Sequence, residues 1–174
     1  MNFVKITYRV SEKKGHLVTK SSDVYALLKP HFNPTQEEFY VIPMVGQECV
    51  IEKLFTGGLD TAYIDLKTIF ARLLVEFPNC TSLLVAHNHP SGNVEPSDND
   101  ISLTGRIREA TKLLGYNFLD SIVFSNKTYY SFADEGKLES IECPITIERS
   151  PQASRAKASP SKGRENIHTT RRLL

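Results

Sequence analysis

The sequence predicts an α/β domain, and three observations carry the prediction. Ser82-Leu83-Leu84-Val85-Ala86 is a short continuous apolar run, the pattern of a strand buried on both faces. Strand-forming stretches at 37–55 and 117–132 alternate with helical patterns at 65–77 and 98–114. The 174 residues suffice for one domain with a sizeable core and are too few for two ordinary ones. From about Ile147 the chain turns to Ser, Pro, Lys and Arg with little apolar periodicity, a composition that cannot bury enough surface to order itself. The expected organisation is a domain over 1–146 and a disordered basic tail over 147–174.

The elements follow in chain order. Phe3, Ile6, Tyr8 and Val10 suit an edge strand over Asn2 to Val10, closed by a polar turn from Ser11 to His16. Ser21 and Ser22 are placed to cap a helix whose Val24, Leu27 and Leu28 share a face and which ends before Pro34. Glu37 to Val45 and Glu48 to Phe55 flank Gly46-Gln47 as a hairpin, with Pro43 weakening the first strand or placing it at an edge. Gly57-Gly58 ends the hairpin, and Asp65 is placed to cap a helix with a stripe of Ile69, Leu73, Leu74 and Phe77.

A second helix from about Asp98 to Leu114 directs Ile101, Ile107 and Leu114 inward and Arg106, Arg108 and Lys112 outward. Gly115 ends it, and Asn117 to Phe124 and Thr128 to Phe132 complete the sheet as two strands.

Composition is less informative than order. Hydrophobic residues at 40% and charged residues at 24% are ordinary values, which exclude neither an enzyme nor a binding module. Cys49, Cys80 and Cys143 form no C-x-x-C pair, so neither a disulfide framework nor a cysteine-based zinc site is indicated. No leader pattern and no membrane-length apolar run is present, and a soluble protein of the reducing cytoplasm is expected. The net charge of +1 hides an asymmetry. Residues 149–174 hold seven Lys or Arg against one acid, leaving 14 basic and 19 acidic residues, a net of −5, in the first 148. That tail charge suits an acidic partner such as nucleic acid, or serves solubility alone.

The chemistry concentrates in His87 to Asp100, HNHPSGNVEPSDND. Side chains two apart in an extended chain point the same way, so His87 and His89 can converge while Asn88 faces elsewhere. Pro90, Ser91 and Gly92 reverse the chain, and Ser97 starts a helix with Asp100 three residues on, which returns Asp100 toward the histidines. Two imidazoles and a carboxylate suit a divalent ion such as Zn2+, with a fourth position open to water. Ser-x-x-Asp is also a helix capping box, and the two readings are compatible, because a ligand held by a cap is held rigidly. Contiguous His-Asn-His is no nuclease signal.

Glu37 and Glu38 open the hairpin. Alternation puts Glu37 with Phe39 and Val41 on one face and Glu38 with Tyr40 and Ile42 on the other. One of them at most can face a metal, and the pattern alone leaves open which.

The spacing H-x-H, seven residues, Ser, two residues, Asp resembles the signature of JAMM or MPN-type metalloproteases. HNHPSG with the following EPS and D is similar to the RadC-like branch. The similarity runs from about Gln36 to Gly136 and includes LFTGGLDTA, ISLTGRI and YYSFADEG. The resemblance implies a single MPN/JAMM-like domain with a central mixed β-sheet flanked by helices, and zinc held by His87, His89 and Asp100. It also implies Ser97 holding the reacting water or oxyanion, and Glu37 rather than Glu38 as the general base. It further implies a peptide or isopeptide amide in a protein substrate. The chain departs from the family in having Asp120-Ser121 where RadC-like chains have Asp-His, and the helix-hairpin-helix-like N-terminal segment of the longer relatives is not expected among these residues. The rival implication, from the DNA-repair label of RadC-like proteins, is a non-catalytic DNA-associated accessory protein acting through the basic tail.

Overall fold

Alternation of buried strands and one-sided helices builds a mixed sheet with helices on both faces. The computed structural model describes residues 15–50, 52–56 and 64–141. The strands are β1 (His16–Leu17), β2 (Glu38–Val45), β3 (Glu48–Cys49), β4 (Glu52–Thr56), β5 (Ser82–Asn88), β6 (Asn117–Phe124) and β7 (Tyr129–Ser131). The helices are α1 (Ser21–Leu28), α2 (Leu66–Glu76) and α3 (Asp98–Leu114). Among the described residues the sheet order is β1-β3-β2-β5-β6-β7, with β4 also paired to β2. Among the described strands only β5 and β6 run parallel, joined by the α3 crossover that a parallel connection needs. The expected strand at Asn2 to Val10, the break at Gly57-Gly58 and the tail lie outside the described residues.

The alternation of β2 and β5 divides the core. Tyr40, Ile42, Met44, Leu84 and Ala86 face α1, with Ile122 and Phe124 of β6. Phe39, Val41, Leu83 and Val85 face the other way, onto Ile69, Phe70 and Leu73 of α2 and Leu103 and Ile107 of α3. The site is built on this second face.

Several local expectations are corrected. His16, expected in a polar turn, pairs with Cys49 in β1. The N-cap of α1 is Lys20, not Ser21 or Ser22, because Asp23 inside the first turn accepts from the Lys20 amide at 3.2 Å and the Thr19 amide at 2.9 Å. Pro43 sits in a central strand, not at an edge, opposite Leu83 of β5. Its carbonyl accepts from Val50 N at 3.2 Å, so its nitrogen, which has no hydrogen, faces the interruption between β3 and β4, where the ladder loses least.

Asp65 caps α2 as expected, accepting from Lys67 N and Thr68 Oγ1, each at 3.1 Å. Leu74 is nevertheless half exposed, and Phe70 takes its place in the core. Leu74 lies about 140° around the helix from Ile69. In α3, Ile107 is buried, but Ile101 is exposed on the flank and Leu114 is exposed in the last turn. The inward face instead contains Leu103, Thr104, Gly105 and Thr111. Gly115 ends the helix at φ 79°, in the left-handed region that favours glycine.

Candidate metal centre

The site forms where β5 runs out and α3 begins. His87 stands opposite Phe39 in the β2–β5 register and shares its face, the two rings stacked with centroids 6.5 Å apart. The ladder continues through His89, whose amide donates to the Phe124 carbonyl at 2.9 Å. Its side chain therefore returns to the side of His87. The turn then closes by Gly92 N donating to the His89 carbonyl at 3.0 Å, with Gly92 at φ 84°.

At the helix start, Ser97 and Asp100 form a reciprocal cap. Ser97 N donates to Asp100 Oδ2 at 2.8 Å, Ser97 Oγ donates to the same oxygen at 2.6 Å, and Asp100 N donates to Ser97 Oγ at 3.3 Å. Asp100 is thereby held buried and facing the histidines. His87 Nε2 lies 3.1 Å from Asp100 Oδ1, His89 Nε2 lies 3.5 Å from Asp100 Oδ2, and the two Nε2 atoms are 3.1 Å apart. One donor atom from each of the three side chains lies within 4.8 Å of the other two, a cluster that could hold a metal ion. His89 Nδ1 is 2.7 Å from the Asn93 carbonyl, a contact that requires a proton on Nδ1 and so leaves Nε2 as the lone-pair donor when the ring is neutral.

The electrostatics follow from these contacts. Burial works to raise the Asp100 pKa, but the hydrogen bonds from His87 and His89 and that from Ser97 override it and hold the carboxyl well below the usual range. The Asp100 hydrogen bond raises the His89 pKa against the opposing effect of burial, helped by the Asn93 carbonyl and the nearby charge of Glu37. Glu37 is half-buried at the entry to β2. Glu38 is 2% exposed on the opposite face, its Oε2 accepting from Asn33 N at 3.1 Å and from the Tyr40 hydroxyl. Ser97 is exposed, with its hydroxyl proton committed to Asp100.

Ser121, where the resemblance has histidine, is buried and accepts from Thr104 Oγ1 at 2.9 Å, tying β6 to α3 one turn beyond Asp100. One partner of the site, the Asn93 carbonyl, went unread in the sequence, as did Thr104 in the tie between β6 and α3. A backbone carbonyl leaves no trace in residue type, and Thr104 lies in an inward stripe that apolar periodicity does not flag.

The family model described as RadC-like JAB domain matches residues 18–137. A UPF0758 protein of Flavobacterium johnsoniae is 34% identical over 122 residues, covering 68% of this chain and 52% of that protein. One of Porphyromonas gingivalis is 34% identical over 125 residues, covering 70% and 54%, and one of Staphylococcus epidermidis is 31% identical over 122, covering 68% and 53%. The chain thus spans about half the length of the curated relatives it matches. No described helix is long and apolar enough to cross a membrane.

Proposed function

The chain belongs to the RadC-like JAB domain family, and from that premise we propose that it is a zinc-dependent hydrolase of a peptide or isopeptide amide. The observation that carries the reading is the convergence of His87, His89 and Asp100: the two Nε2 atoms are 3.1 Å apart, each lies 3.1 or 3.5 Å from a different oxygen of Asp100, and one ligand atom from each residue falls within 4.8 Å of the other two. Ligand atoms about 2.0–2.1 Å from a tetrahedral zinc stand about 3.3 Å from one another. The donor set, two imidazoles and one carboxylate, is that of catalytic zinc with a position left open. When bound, zinc lowers the pKa of water to roughly 7 and polarises the carbonyl under attack.

The chain's own groups supply the rest. Glu37, on the face of Phe39 and His87, takes a proton from the attacking water and passes it to the leaving amine nitrogen as the C–N bond breaks. Ser97, whose single hydroxyl proton goes to Asp100 in the resting site, turns it from Asp100 to the carbonyl oxygen as negative charge develops there. His89 keeps its orientation through the Asn93 carbonyl.

The test compares Glu37→Gln with Glu38→Gln, using a peptide library or an isopeptide-linked reporter. Glu37→Gln should retain zinc and lower the rate by roughly 10²- to 10⁴-fold. Glu38→Gln, on the opposite face, should leave the rate nearly unchanged. The reverse pattern moves the base to Glu38, and indifference to both in an active enzyme removes this mechanism.

A further inference from the structure

Asn88 lies between the two histidines and faces the other way. It is 0% exposed, and both its amide protons and its carbonyl oxygen are engaged. Oδ1 accepts from Glu38 N at 2.8 Å, while Nδ2 donates to the Gln36 carbonyl at 2.9 Å and the Asn33 carbonyl at 3.3 Å. All three partners belong to one segment, the loop that leads into β2. That loop has its own order, since Asn33 Oδ1 accepts from Thr35 N at 3.0 Å and from Thr35 Oγ1 at 2.8 Å.

Gln36 and Glu38 are the two neighbours of Glu37. A single buried amide therefore pins the backbone on both sides of Glu37. Its own backbone is fixed in turn, because β5 is paired along β2 on one side and along β6 on the other through Asn88. The residue between the histidines thus sets how far the Glu37 segment stands from them. A serine or alanine at position 88 would leave the imidazoles in register and lose that connection.

We propose that Asn88 is a positioning residue that locks the Asn33–Glu38 loop to the His87–His89 pair and so fixes Glu37 relative to the metal site. The catalytic consequence rests on Glu37 acting as the base, as proposed above; the lock itself does not. A buried polar group with each polar atom paired specifies one arrangement of its partners, and removing it leaves three backbone groups to find others.

The test uses the full chain with Asn88→Leu, close in volume and without hydrogen bonds, and Asn88→Ala in case leucine prevents folding. Amide hydrogen exchange should speed up about tenfold or more at Glu38 while the β5–β6 amides keep their protection. Zinc content should remain that of wild type. With a cleavable substrate, kcat should fall and KM stay, and Asn88→Leu added to Glu37→Gln should cause no further loss. Unchanged exchange at Glu38 overturns the proposal, as does loss of zinc from a variant that still melts cooperatively. Additive losses in the double variant overturn the link to Glu37. If wild type cleaves no amide, the proposed hydrolysis falls while exchange at Glu38 still decides whether Asn88 holds the loop.

Discussion

Asp100 and Asp120 are equally buried, each 6% exposed, yet their surroundings make them different groups. Asp120 lies in β6 on the α1 side of the sheet. Its Oδ1 accepts from Ser121 N at 2.7 Å and Ala133 N at 2.9 Å, and its Oδ2 from Ser131 Oγ at 2.5 Å. Burial raises its pKa even against those three hydrogen bonds. Asp100 faces two imidazoles, and their hydrogen bonds reverse the effect of burial. Backbone amides can only donate. An imidazole nitrogen can donate a proton in one state and a lone pair to a metal in another. Burial does not mark a candidate ligand carboxylate here; partners that can change role do.

The largest expected effect breaks or keeps this distinction outright. His87→Ala with His89→Ala, and separately Asp100→Ala, should reduce zinc from about one per chain to nearly none, because the groups left cannot hold the ion. Asp120→Ala should leave zinc content unchanged. Metal analysis of protein purified without added metal decides it. The double histidine variant should still melt cooperatively, since the core strands and helices do not depend on the ion, and zinc should raise the wild-type melting temperature by linkage. Full occupancy in the histidine variant would place the metal elsewhere.

The next effect lies on the Asp120 side. Asp120→Ala strands Ser121 N, Ala133 N and the Ser131 hydroxyl, and should lower stability by about 1–3 kcal/mol. Asp120→Asn, able to keep the two backbone donors on Oδ1, should be milder. The pH dependence has a definite sign. A carboxyl whose folded pKa is raised contributes stability fully below its ordinary value of about 3.9 and loses that contribution as pH rises through the raised pKa. The stability of wild type relative to Asp120→Asn should therefore decline as pH rises above about 4. Denaturant unfolding at several pH values measures it, and a rising difference would show that the hydrogen bonds outweigh burial.

How far each carboxylate was legible in the sequence follows from the same contrast. His87, His89, Ser97 and Asp100 lie within fourteen residues, and strand alternation plus a capping box suffices to bring them together. Asp120 is joined to Ser131 and Ala133 through the β6–β7 hairpin, and no local pattern says that its side chain turns inward. The continuous apolar run marked β5 because both of its faces are covered. The inward face of α3 was misread, since Thr104, Gly105 and Thr111 are neither apolar nor exposed. Pro43 misled for a related reason: its central position depends on a break in the partner strand, visible only once strands are paired.

The smallest effect separates the two serines that donate to these carboxylates. Ser131 is buried, and its Oγ both donates to Asp120 and accepts from Asp134 N at 3.0 Å. Ser97 is exposed and caps α3 while donating to Asp100. Ser97→Ala should lower stability by about 1 kcal/mol, the ordinary loss for an N-cap. Ser131→Ala should lower it by a comparable or larger amount, since it uncovers buried partners. Their zinc affinities should part company. Ser97 steadies a ligand from outside the donor set, and losing such a partner typically weakens metal binding by about 10- to 100-fold without abolishing it. Ser131 touches nothing in the cluster and should leave affinity unchanged. Competition with a zinc chelator, run beside thermal melts of both variants, supplies the two readouts. Equal zinc affinity in both variants would mean that Ser97 acts as a helix cap and not as support for the ligand. Weakened affinity in Ser131→Ala would show that the two faces of the sheet are coupled, and that the carboxylates are less separate than their hydrogen bonds imply.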